Sequence, residues 1–115
     1  MTSPPHWLTL TSDPVPGAVD GHACRTRAAF FHEAARALDL PDYFGHNWDA
    51  LLDCLRDLDQ PALTVARADE LLAEEDPRDL AILLEILAER EVPTTFAAAP
   101  ERMPVLRTRL AAALP

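Results

Sequence analysis

Leu40-Pro41-Asp42-Tyr43-Phe44-Gly45-His46-Asn47-Trp48-Asp49-Ala50-Leu51-Leu52-Asp53-Cys54-Leu55 is the least generic stretch of the chain. Pro41 has no N–H and steers Leu40 away from helical angles, so a helix arriving from upstream must stop there. The loop Pro41–His46 follows, and Gly45 is expected to take a backbone angle that other residues resist. Asn47 is a good N-cap for a helix over about Trp48–Asp57. Leu51, Leu55 and Leu58 form the core-facing stripe of that helix, while Asp49, Asp53 and Asp57 recur at i, i+4 and i+8 and stack along another face. Like charges at this spacing cost a few tenths of a kcal/mol per pair, and Asp is a poor helix former. That face is not optimised for helix stability.

Outward from this segment, the chain alternates strands with helices. His6–Thr11 alternates large apolar and polar residues and reads as a strand. Ser12–His22 has loop composition, with room for a short strand around Val19. Arg25–Leu38 is helical in pattern, with Phe30, Ala34, Ala37 and Leu38 on one stripe. Pro61–Ala66 reads as a buried strand and Asp69–Glu74 as a short helix. Asp76-Pro77-Arg78-Asp79 is a helix start, with an N-cap, a proline at the first position and an acid in the first turn. That helix runs to about Arg90 and buries Leu80, Leu83, Leu84 and Leu87. Thr94–Ala98 is the third strand, and Pro100–Leu114 a terminal helix with Val105, Leu106 and Leu110 facing in. The expected fold is α/β: a three-stranded parallel sheet with helices packed around it. One domain over residues 1–115 is expected, with residues 1–5 a frayed tail.

The bulk numbers narrow the function. A hydrophobic share of 49% fits a globular domain. No apolar run approaches the ~20 residues of a membrane span, and no basic start precedes a hydrophobic stretch, so a cytoplasmic location is expected. Cys24 and Cys54 do not make the dense framework of small secreted domains; buried free thiols are expected, with a single bridge as the alternative. The net charge is −9, with 10 bases against 19 acids, and every base is arginine. Such a surface repels nucleic acid and anionic membranes and attracts basic proteins.

Tyr43, Phe44 and Trp48 stand in or beside the loop that leads into the acidic helix. Taken alone, the acids could be a solvated face and the aromatics could be core. Together within one segment they form a recognition surface in pattern, with aromatic anchors and carboxylates aimed at Arg or Lys of a partner.

The run Leu40–Leu55 resembles the signature of the barstar family, intracellular inhibitors of barnase-like secreted ribonucleases. In that family a Leu-Pro, an acid, two aromatics, a Gly, an Asn, an Asp-Ala-Leu and an Asp-Cys-Leu join the first helix to the second, and the match here is near complete. Asp20-Gly21 also resembles the turn after the family's first strand, and Phe30 its first helix. The resemblance implies that the second helix and its loop plug the active site of a basic ribonuclease or related toxin. It places Tyr43, Asn47, Trp48, Asp49 and Asp53 at the contact, with Asp53 reaching into the phosphate-binding pocket; Phe44, Gly45, Leu52 and Asp57 complete the expected face. Glu85 is the nearest candidate for a further acid from a later helix. Carboxylates one helical turn apart can replace phosphates among the Arg, Lys and His of such a cleft. Leu52 and Leu58 depart from the pattern, standing where the type member has tryptophans. Cys54 matches a family cysteine and Cys24 does not, and residues 100–115 extend beyond the minimal domain.

An enzyme is the first rival. Asp49, Asp53 and His46 could be imagined as metal ligands, but hard cations want more oxygens than one helix face offers. There is no phosphate-cradling glycine loop, and His6, His22, His32 and His46 show no paired metal spacing. No catalytic residue, cofactor or metal is therefore assigned, and the free protein is expected to be a monomer. The second rival is a partner-binding domain of the same fold whose target is another toxin or a regulatory protein.

Overall fold

The computed structural model describes residues 3–114. In chain order the elements are β1 (Leu8–Thr11), β2 (Val19–Asp20), α1 (Arg27–Ala37), α2 (Trp48–Asp57), β3 (Leu63–Ala66), α3 (Pro77–Glu89), β4 (Thr94–Ala97) and α4 (Met103–Ala113). Single 3-10 turns at Gly21–Cys24 and Ala68–Glu70 follow β2 and β3. The strands form one sheet in the order β1-β4-β3-β2, and every pairing is parallel. Parallel strands need a long crossover between them, and the helices supply it.

Side chains alternate across the sheet, as the apolar/Thr pattern of β3 and β4 requires. Leu63, Val65, Thr94 and Phe96 are buried, whereas Thr64, Ala66 and Thr95 are partly covered. Val65 stands beside both Phe96 and Val19, and Leu63 beside Thr94. Thr94 is the one polar side chain in this layer, and its hydroxyl donates to the Val92 carbonyl at 2.8 Å. Phe30, Leu51, Leu55, Leu83, Leu84, Leu87 and Leu106 complete one continuous core.

The sheet has one strand more than expected. Ladder bonds to β3 draw Val19–Asp20 in as a two-residue edge strand, with Val19 fully buried. Gly21 follows because the chain must pass very close to the end of β3. A Cβ at residue 21 would sit 2.2 Å from the Arg67 carbonyl oxygen, so a side chain has no room. Asp20 closes the same corner: it accepts from the His22 amide at 3.0 Å and from Arg67 Nε at 2.9 Å.

Other expectations shift locally. The first helix starts at Arg27, capped by the Thr26 hydroxyl, because Gly21–Cys24 is already a 3-10 turn. Phe31 joins Phe30 and Ala34 in the core, while Ala37 is exposed, so the buried stripe is rotated from the one the pattern suggested. The expected helix Asp69–Glu74 is a 3-10 turn over Ala68–Glu70 followed by further turns, with Arg67 and Leu72 in the left-handed region. The terminal helix begins at Met103, not Pro100. Its Leu106 and Leu110 are buried, and Val105 is partly buried. Arg102 Nε donates to the buried Asp69 carboxylate and Arg109 Nη1 to the Asp69 carbonyl, both at 2.9 Å, so α4 is fastened to the domain by charge as well as packing. Of the expected tail, Met1 and Thr2 lie outside the described residues; Pro5 is tied in by its carbonyl, which accepts from the Leu8 amide at 3.0 Å.

Candidate binding face

The loop and α2 are held from beneath by aromatic rings. Phe44 is buried, edge-on to Phe31 with centroids 6.0 Å apart. Trp48 packs its half-buried ring against Phe31 at 4.7 Å and Phe30 at 5.9 Å. With these rings fixed inside, Tyr43 is left outside: it is 83% exposed, the only exposed large hydrophobic side chain among the described residues. An isolated apolar residue on a surface is ordinary, but a ring this bare beside a row of acids has the form of a contact anchor.

Asn47 starts α2 as its sequence position suggests, its Oδ1 accepting from the Ala50 amide at 2.8 Å and its Nδ2 donating to the Gly45 carbonyl at 3.2 Å. The unusual backbone angle of the loop falls on His46, with φ of 51°, and not on Gly45 as expected. Gly45 is exposed, and its local requirement is space, since a Cβ there would press on Asn47 Nδ2 at 3.2 Å.

Leu51 and Leu55 are buried and Leu58 is partly buried, which turns Asp49, Asp53 and Asp57 to solvent. The three carboxylates span about 12 Å of helix axis. Asp49 lies in the first turn, where the helix dipole favours it; Asp57 lies in the last, where the dipole opposes it. Helix stability therefore does not explain the row. Its field is felt locally: the Cys54 thiol is pushed up by burial and, next, by the neighbouring Asp57 and Asp53. Leu52 lies among these acids and is partly buried.

One base enters the row. Arg56 approaches Asp53 at 3.6 Å and pairs with Glu89 of α3, while Arg90 Nη1 donates to the Arg56 carbonyl at 2.8 Å. These contacts join the ends of α2 and α3. Glu85 is exposed one turn before Glu89, and so stands on the α2 side of α3. At the other end of the same pair of helices, Trp48 Nε1 donates to Asp79 Oδ1 at 3.0 Å. Asp79 had been visible in the sequence only as a first-turn acid; nothing in the pattern said that it would be buried against α2.

The sequence pattern of the family described as Barstar (barnase inhibitor) matches residues 17–104. The chain belongs to that family. No curated protein matches the chain. The barstar match takes in β2 through the start of α4 and includes the whole loop and α2. It leaves out β1, and it ends two residues into α4, although Leu106 and Leu110 beyond that point are part of the same core.

Away from α2, Arg25 and His22 both meet Glu70, and Arg67 pairs with Asp20. Among the described residues, no three His, Cys, Asp or Glu side chains come together as a metal site. Cys24 and Cys54 are both buried and unbridged. No helix among the described residues is long and apolar enough to cross a membrane.

Proposed function

We propose that the chain inhibits a secreted barnase-like ribonuclease by seating α2 and the loop before it in the enzyme's active site. The observation that carries this is the exposure of Asp49, Asp53 and Asp57 along one face of α2, with Tyr43 bare at its head. A ribonuclease cleft concentrates cations around a phosphate. A rigid helix offering carboxylates at turn spacing can occupy that cleft without being cleaved. Tyr43, Asn47, Asp49, Leu52, Asp53 and Asp57 supply the contact, and Glu85 adds a carboxylate from α3. Phe44 and Trp48 contribute from beneath, by fixing the surface on which the others stand. The protein itself carries out no catalysis, and its partner is a basic protein.

Calorimetry with a ribonuclease that the wild-type chain inhibits tests this directly. Asp53→Ala should weaken the complex by about 2 kcal/mol or more, roughly thirtyfold in Kd. Glu74→Ala removes an exposed acid that pairs with Arg25 outside the α2 face, and should change Kd little. Equal losses would place the interface elsewhere. Association should also slow steeply with salt, because charges steer the encounter. If a pull-down from the source cell brings down a toxin or regulator that cleaves no RNA, the partner is of another class and the ribonuclease reading fails.

A further inference from the structure

We infer that Asp79 is a positioning residue for the α2 face, acting through the indole of Trp48; the inference rests on the proposal that α2 is the binding surface. Asp79 lies in the first turn of α3 and is 4% exposed. An acid there would ordinarily serve its own helix end, but that task falls to Asp76, whose carboxylate accepts from the Arg78 amide at 2.9 Å. Asp79 instead turns across to two other helices. It accepts from Trp48 Nε1 of α2 at 3.0 Å and from Arg27 Nη1 of α1 at 3.4 and 3.5 Å. A buried carboxylate is costly unless donors meet it, and these two donors are what keep it there.

The consequence falls on α2. The Trp48 ring packs against Phe31 and Phe30, and its indole N–H is held by Asp79. Swinging the ring about its first side-chain bond would break both contacts. Trp48 is the first residue of α2, between the cap Asn47 and Asp49. Each residue turns the helix by about 100°. Locking Trp48 inward therefore fixes the direction in which Asp49 and, one turn on, Asp53 leave the surface, and it fixes the end of the loop that bears Tyr43. Of the large aromatic side chains, only Trp and Tyr bring a polar hydrogen, and the indole N–H is donor only, suited to a carboxylate. Arg27 is half exposed and can turn to water, so the indole bond is the part of the network that couples Asp79 to the face.

Asp79→Leu, Asp79→Asn, Trp48→Phe and the double variant Trp48→Phe/Asp79→Leu test this, each compared where circular dichroism shows it folded. The first readout needs no partner: in 15N-resolved NMR, Asp79→Leu should move the Trp48 indole N–H and the amides of residues 43–53. Unmoved amides in that segment would overturn the inference whether or not the chain binds a ribonuclease. The second readout uses a ribonuclease that the wild-type chain inhibits. Asp79→Leu and Trp48→Phe should each raise Kd about tenfold, and the double variant no more than either alone, because both break one bond. Asp79→Asn still offers an oxygen to the indole and should restore most of the affinity. A double variant near a hundredfold, the product of the two, would show that Asp79 acts on folding in general and not through Trp48. If the wild-type chain inhibits no ribonuclease, the functional proposal falls and the NMR result alone decides the role of Asp79.

Discussion

Raising the pH should destabilise this protein through its buried thiols, Cys24 above all. Cys24 has no exposed surface, and burial, with the nearby Glu33 and Asp20, pushes its pKa up from 9.0 to about 11. The folded chain thus holds the proton more tightly than the unfolded chain. The stability this represents is fully present below about pH 9 and is lost as pH rises toward 11. At about pH 10 the unfolded thiol has given up most of its proton and the folded one almost none. The difference costs roughly 1 kcal/mol there, approaching roughly 3 kcal/mol once both would be ionised. The chain has no lysine among its ten bases, so lysine amines do not titrate in this range, and comparison with Cys24→Ala separates Cys24 from the raised Cys54. With a urea slope of about 2 kcal/mol/M, the unfolding midpoint should fall by roughly half a molar between about pH 8 and pH 10. Cys24→Ala should start lower at neutral pH, having lost a packed sulfur, and then decline much less over the same range. Equal declines in the two proteins would refute the assignment to Cys24.

Gly21→Ala should cost about 1–3 kcal/mol, because the new Cβ meets the Arg67 carbonyl oxygen at 2.2 Å and backbone cannot step aside cheaply; an unchanged Tm would sink this. Asn47→Ala should cost about 1 kcal/mol by uncapping α2, and hydrogen exchange at Ala50 should rise more than at Leu84 in α3. Asp20 is held below the usual carboxylate range mainly by its bond to Arg67, against a smaller opposing effect of burial. Its contribution is present above the ordinary carboxylate range and is lost as pH falls through the lowered value, so wild type should lose more stability than Arg67→Gln on acidification, and parallel acid-unfolding curves would contradict this.

The local features of this protein follow from short-range chemistry, and the sequence alone determined them. Asn47 caps one helix and Asp76-Pro77 opens another, each through hydrogen bonds or angles set within a few residues. The acid row was legible for the same reason: helical periodicity puts Asp49, Asp53 and Asp57 on the face opposite Leu51 and Leu55. The family, too, was readable from sixteen residues, because the motif combines turn, cap and core requirements that few sequences meet together.

Tertiary structure decided whatever depends on neighbours far along the chain. A two-residue strand at Val19–Asp20 has too little pattern to announce itself, and exists because β3 offers it a ladder. Gly21 looked like loop composition and proved to be a contact with a carbonyl 46 positions on. Phe44 and Tyr43 are adjacent aromatics with opposite fates, one against Phe31 and the other in water, and only the packing of α1 separates them. Asp79 bonds to Trp48 across 31 positions and to Arg27 across 52. Periodicity can say which face of a helix is polar, but the hydrogen-bond partner of a buried carboxylate belongs to another helix, and it is chosen only when the two are packed together.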